Sequence, residues 1–289
     1  MAEVSLSHPL DGYLRKGILP HIWCAGCGYG VILNCFIRAL RELEFNLNNL
    51  VVVSGIGCIG RISGYINADG FHTTHGRALA FATGVKLARP HLKVVVISGD
   101  GDLFAIGGNH FIHAARRNID VTVICANNFV YGMTGGQLGP TTPLSAYTPT
   151  TPYGSVEHPF NLVYLAAGSG AVYVARWTII HVRELITSLK KALQRKGLSF
   201  IEVISPCPTL FGRYNRLGSA VDILDWLKAS SVTRYHSNPA EAEITLGGKI
   251  IVGEFVDTEK VTYSELLEEM TKKIQQRLEK EGRLTLASL

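Results

Sequence analysis

The stretch Val94-Val95-Val96-Ile97-Ser98-Gly99-Asp100-Gly101-Asp102 is a β-branched run, apolar on both faces, that stops on a glycine and an acid. A strand buried on both sides belongs to a parallel sheet covered by helices. A helical pattern over 109–117 follows, and a second run, Val121-Thr122-Val123-Ile124, leads to Asn127-Asn128. Strand, helix, strand is a right-handed crossover, which puts the carboxyl ends of both strands on one edge of the sheet. Ligands of open α/β sheets bind at that edge, so Asp100 and Asn128 are expected to converge there. A carboxylate and an amide oxygen are hard donors suited to Mg²⁺. The glycines on either side of Asp100 keep side chains away from where a diphosphate would lie. Asp-Gly alone would read as an ordinary polar turn; its pairing with Asn127-Asn128 across one crossover favours a ligand.

The same alternation extends in both directions. Val51–Val53, Ala171–Val174 and Phe200–Ile204 read as further strands, and 31–43, 77–88 and 182–194 as the helices between them. The expected architecture is α/β, a doubly wound and mostly parallel sheet, spanning residues 1–205. Residues 133–153, crowded with glycine and proline, read as a long functional loop without secondary structure. From residue 206 to 289 the pattern changes to two amphipathic helices, 221–227 and 264–278, joined by a polar stretch. This part is read as a C-terminal helical arm that packs on the core or on a partner.

Composition removes several classes. With 47% apolar and 18% charged residues among 289, the chain is globular. A net charge of +5 without a long basic run argues against nucleic acid. No apolar stretch is long enough to span a membrane, and Met1-Ala2-Glu3-Val4-Ser5 lacks the pattern of a secretory leader, so a cytoplasmic protein is expected. Six cysteines in that compartment read as thiols or metal ligands rather than disulfides. Cys24 and Cys27 form C-x-x-C, Cys58 lies on a glycine turn and Cys207 stands beside a proline; Cys35 and Cys125 read as core residues. Four thiolates can hold a [4Fe–4S] cluster or a zinc ion, and spacing does not separate the two. A zinc site from Cys24, Cys27, His72 and His75 is a further arrangement. Gly55-Ile56-Gly57-Cys58-Ile59-Gly60 fits the dinucleotide fingerprint, but no strand ending in an acid is read after it.

Taken together, Cys24-Ala25-Gly26-Cys27-Gly28, Gly55-Ile56-Gly57-Cys58, His72-Thr73-Thr74-His75-Gly76-Arg77, Gly99-Asp100-Gly101 with Asn127-Asn128, Tyr131-Gly132-Met133-Thr134-Gly135-Gly136-Gln137 and Ser205-Pro206-Cys207-Pro208 resemble the β subunit of 2-oxoacid:ferredoxin oxidoreductases. The motifs run from about residue 20 to 210, and Arg213-Tyr214-Asn215-Arg216 and Asp225-Trp226-Leu227-Lys228 carry the likeness into the tail. The resemblance implies a thiamine diphosphate-binding fold. Asp100, Asn128 and the Val130 carbonyl would hold Mg²⁺ against the cofactor, lined further by Gly57, Cys58, His75, Gly99, Gly101, Asp102, Gly132, Met133 and Thr134. Cys24, Cys27, Cys58 and Cys207 would hold a [4Fe–4S] cluster. Arg61 would meet the substrate carboxylate, and His75 would face the pocket.

That family oxidises 2-oxoacids with coenzyme A and passes the electrons to ferredoxin. Some relatives carry a basic residue at the position of Gly135; the two glycines here leave room for a longer acid, so 2-oxoglutarate is expected first and pyruvate second. Thiamine enzymes also need a glutamate from a pyrimidine-binding domain, which this chain is too short to contain. A heteromer is expected, with an α subunit and possibly small γ and δ subunits. A non-oxidative decarboxylase subunit and a non-catalytic metal-binding module are the competing readings.

Overall fold

The computed structural model describes residues 8–281; Met1–Ser5, read above for its lack of a leader, lies outside them. The described residues form ten strands: β1 Leu50–Ser54, β2 Asp69–His72, β3 Lys93–Gly99, β4 Thr122–Asn127, β5 Val130–Tyr131, β6 Gln137–Leu138, β7 Tyr173–Thr178, β8 Ser199–Ile204, β9 Ser231–Thr233 and β10 Ile250–Asp257. The helices are α1 Tyr29–Glu42, α2 Ala78–Ala88, α3 Gly108–Arg116, α4 Leu162–Gly168, α5 Val182–Gln194, α6 Ala220–Ser230 and α7 Tyr263–Lys280. Eight strands form one sheet in the order β2-β1-β3-β4-β8-β7-β10-β9, parallel except where β10 meets β7. Among the described residues, no helix is long and apolar enough to cross a membrane.

Alternation along the strands sorts the core into two layers. Val52, Val95, Ile97, Ile124 and Ile201 face α1 and α5, whereas Val51, Val94, Val96, Val123 and Phe200 face α2, α3 and α4. Because both faces are covered, β1, β4 and β8 are buried along their whole length. Burying a large aliphatic side chain contributes about 1.5–3 kcal/mol, so these strands hold the sheet edge rigidly beneath the site. α1 keeps Arg38 and Arg41 in solvent, and Lys190 of α5 reaches Glu42 at 2.7 Å to tie the two helices on that face.

The structure corrects the sequence reading at four places. Residues 69–72 form an edge strand paired with β1, although every residue of it is exposed. The fourth core strand begins two residues later than its apolar run and carries Arg176, whose charge is buried against Glu202. The loop 133–153 contains β6, which pairs with β5 in a short hairpin. The polar stretch between α6 and α7 contains β9 and β10, and β10 extends the main sheet.

Candidate active site

β3 ends at Gly99, and Asp100 stands between it and a wide-turn helical segment, Gly101–Ile106, which leaves its carboxylate at the sheet edge with 2% exposure. Burial pushes its pKa up to about 6, against the pull of the Thr141 hydroxyl and the Asn128 backbone amide. Thr141 Oγ1 donates to Asp100 Oδ2 at 2.6 Å. Asn128 stands one residue beyond β4, and its Oδ1 accepts from the Val130 amide at 3.2 Å. The carboxylate, amide and Val130 backbone carbonyl thus come from one edge, as anticipated. They are the oxygen donors Mg²⁺ prefers, and a divalent cation would offset the cost of burying Asp100.

Beneath Asp100 a row of polar side chains crosses the sheet, from the loop residue Thr141 through one residue each of β4, β8 and β7. Thr141 Oγ1 also lies 2.8 Å from Asn127 Oδ1, Asn127 Nδ2 donates to Glu202 Oε1 at 2.7 Å, and Arg176 Nε donates to Glu202 Oε2 at 2.6 Å. Arg176 and Glu202 are fully buried, so either alone would be an uncompensated charge costing about 3–5 kcal/mol. Paired through Arg176 Nε, with Nη1 on the Ala242 carbonyl and Nη2 left without a partner, they tie β8 to β7, and Asn127 ties β4 to them, under this edge. Thr141 and Glu202 escaped the sequence reading. A threonine forty residues downstream in an irregular loop offers no periodic signal, and a glutamate in a strand looks like a solvated residue.

Asp102 is 2% exposed and its acceptor positions are filled by the protein. Its Oδ1 receives the Ile56 and Gly76 amides at 3.0 and 2.7 Å and lies 3.1 Å from His75 Nδ1, while Ser98 Oγ donates to Oδ2 at 2.9 Å. Asp102 therefore fastens the Gly55 turn, the Gly76 turn and the His75 ring to β3. A side chain at Gly55 would run into that carboxylate. Gly57, at φ 139°, has open space where a Cβ would project, so ligand can approach its backbone. The turn then enters a 3₁₀ segment, Ile59–Gly64, instead of the α-helix whose N-terminus a dinucleotide would need. Arg61 is exposed on that segment.

Cys24, Cys27, Cys58 and Cys207 line one cavity of about 160 Å³, with Trp23 and Tyr29 also in its wall. Trp23 Nε1 donates to the Cys58 carbonyl at 2.6 Å and so pins one cysteine-bearing turn to the other. Cys35 and Cys125 are buried core residues. Burial pushes the Cys27 thiol up to about 12, with the Tyr29 amide lowering it and the charges of Cys207, Cys58 and Cys24 raising it. Cys58 is raised in the same way by burial and by Cys207 and Cys24, and Arg61 opposes the rise. Among the described residues, no three His, Cys, Asp or Glu side chains stand close enough to share one metal ion. Four thiols spread around a cavity suit a multi-atom cluster better than one tetrahedral zinc. The arrangement with His72 and His75 does not assemble: Ser54 holds His72 at 3.1 Å and Asp102 holds His75.

The two centres adjoin at Gly132. A Cβ there would lie 3.1 Å from Asn128 Nδ2 and 3.9 Å from both Cys58 Sγ and Cys207 Sγ. Met133 is half exposed next to it, and Thr134 bonds Gln137 at 2.6 Å.

A buried carboxylate and amide at the carboxyl edge of a parallel sheet define a cofactor-binding α/β fold, and residues 55–203 match the family described as thiamine pyrophosphate enzyme, C-terminal TPP binding domain. The 2-oxoglutarate synthase subunit KorB of Methanocaldococcus jannaschii is 52% identical over 269 residues, covering 92% of this chain and 98% of that one. KorB of Archaeoglobus fulgidus is 56% identical over 216 residues, covering 75% and 79%. Among solved structures, a 2-oxoglutarate:ferredoxin oxidoreductase from Magnetococcus marinus, with 2-oxoglutarate, coenzyme A and succinyl-CoA bound, superposes with a TM-score of 0.83 at 32% identity, covering 94% of this chain and 93% of that one. The chain belongs to the KorB family, the β subunits of 2-oxoglutarate:ferredoxin oxidoreductases.

Proposed function

We propose that this chain, completed by an α subunit carrying a pyrimidine-binding domain, with or without small γ and δ subunits, converts 2-oxoglutarate and coenzyme A to succinyl-CoA and carbon dioxide in the cytoplasm. Two electrons leave for ferredoxin, and the reaction is reversible. Thiamine diphosphate would supply the carbanion chemistry of decarboxylation, and a [4Fe–4S] cluster would take the electrons one at a time. Asp100, Asn128 and the Val130 carbonyl would hold Mg²⁺ on the diphosphate, with the backbone of Gly57, Gly99 and Gly101 along it. Asp102 acts behind them by orienting His75 and the two glycine turns. Cys24, Cys27, Cys58 and Cys207 would hold the cluster.

The observation that carries this reading is the Gly132 contact between Asn128 and two of the thiols. One backbone segment touches both the diphosphate anchor and the thiol cavity, which is the proximity electron transfer requires. For the substrate, Arg61 would meet a carboxylate. At Gly135 a Cβ would meet only Gln137 Nε2, at 3.6 Å, so the loop leaves space for a five-carbon acid. Residues 1–205 form the cofactor-binding unit in this scheme, and residues 206–289 the arm.

The test is anaerobic co-expression with the α partner, followed by iron, sulfide and thiamine diphosphate analysis and CoA-dependent dye reduction on 2-oxoglutarate and on pyruvate. About four irons per β chain and a preference for 2-oxoglutarate are expected. Zinc in place of iron without redox activity would overturn the oxidoreductase reading, and a preference for pyruvate would overturn the substrate.

A further inference from the structure

Ser205 lines the thiol cavity two residues before Cys207 and is 1% exposed. Its amide is spoken for, donating to the Asn127 carbonyl at 2.8 Å, but its Oγ is buried without any hydrogen-bond partner. A buried hydroxyl left unpaired costs about 1–3 kcal/mol, and of the unpaired buried hydroxyls among the described residues, Ser205 is the one whose residue lines this cavity, where a bound group could accept from it. The hydroxyl also packs against Gly28, where a Cβ would come within 2.5 Å of it. It therefore sits against the residue that follows Cys27 and close in sequence to Cys207.

The protein offers no acceptor at that position; the sulfurs of a bound cluster would be acceptors. Resting on the cluster reading above, we propose that Ser205 Oγ–H donates a hydrogen bond to a sulfur of the [4Fe–4S] cluster and sets its reduction potential. Reduction adds one negative charge to the cluster, and the positive end of the O–H dipole stabilises that charge more than the oxidised state. The hydroxyl therefore raises the potential and eases electron removal from the neighbouring site. Ser205 is a positioning and tuning residue; it contacts no substrate.

The experiment is a potentiometric titration of the co-expressed complex, monitored by electron paramagnetic resonance, alongside iron analysis. Ser205→Ala is expected to keep its iron and to titrate at a more negative potential. The expected shift is roughly 59 mV, a tenfold change in a one-electron equilibrium. Ser205→Thr, which retains the hydroxyl, is expected to keep the unmutated potential. An unchanged potential in Ser205→Ala with full iron overturns the proposal, as does an equal fall in Ser205→Thr. Should Ser205→Ala fail to take up iron, Ser205→Thr is compared with its isostere Ser205→Val, and equal potentials in that pair overturn it. An unmutated complex without iron overturns the cluster reading itself, and this inference with it.

Discussion

The diphosphate edge and the thiol cavity lie against each other at Gly132, yet they are built on opposite principles. At the edge, Thr141, Asn127, Glu202 and Arg176 form a continuous hydrogen-bonded row that ends on the Asp100 carboxylate. That half is organised by the protein alone. In the cavity, burial and mutual repulsion raise the thiols that must ionise to bind metal, and Tyr29 and Arg61 oppose this only in part. On the proposed function, a cavity that disfavours its own thiolates would be completed by what enters it, because a positively charged iron core would replace the protons. The first half is therefore expected to resist ligand loss, and the second to depend on its ligand.

Breaking each half in turn should expose the asymmetry. Cys58→Ser is expected to have the largest effect: iron falls from about four per chain to almost none, dye reduction disappears, and thiamine diphosphate affinity by calorimetry stays near that of the unmutated complex. Loss of thiamine diphosphate in the same variant would show that the cavity organises the edge as well. Asp100→Asn comes next. It removes the only carboxylate among the three oxygens proposed to hold Mg²⁺, and Mg²⁺-dependent thiamine diphosphate binding should weaken by at least about a hundredfold, with iron unchanged. Thr141→Val leaves Asp100 in place but removes its strongest neutral donor, and should weaken the same binding by about tenfold. Equal losses in Thr141→Val and Asp100→Asn would mean that the threonine holds the whole loop, not just the carboxylate.

The two halves also differ in how far they could be read from sequence. Asp100 and Asn128 were legible because they end strands whose apolar runs, Val94–Ile97 and Val121–Ile124, announce themselves. Four cysteines sorted from Cys35 and Cys125 were legible by spacing and by their glycine and proline neighbours. What supports them was not. Thr141 meets Asp100 through a loop without periodicity, and Arg176 and Glu202 pair across strands, so each looks misplaced when read alone. The edge strand β2 was hidden because a fully exposed strand has no apolar alternation. β10 was hidden between polar connections in a region whose helices dominated the pattern. Ser205 carries a signal only once its unpaired hydroxyl is seen in the cavity wall.

The smallest expected effect is the most discriminating, because Gly132 is where the halves touch. In Gly132→Ala the added methyl meets the Asn128 amide at 3.1 Å, tighter than ordinary contact, and the two sulfurs at 3.9 Å, which is ordinary contact. Asn128 must give way by a few tenths of an ångström while the thiols stay in place. The expected outcome is a cost of about 1 kcal/mol on the diphosphate side, roughly a fivefold loss of thiamine diphosphate affinity, with iron retained and the cluster potential unmoved. The reverse, lost iron with cofactor affinity intact, would put the close contact on the thiol side. It would then be the cavity that is tightly packed at the junction and the diphosphate edge that yields.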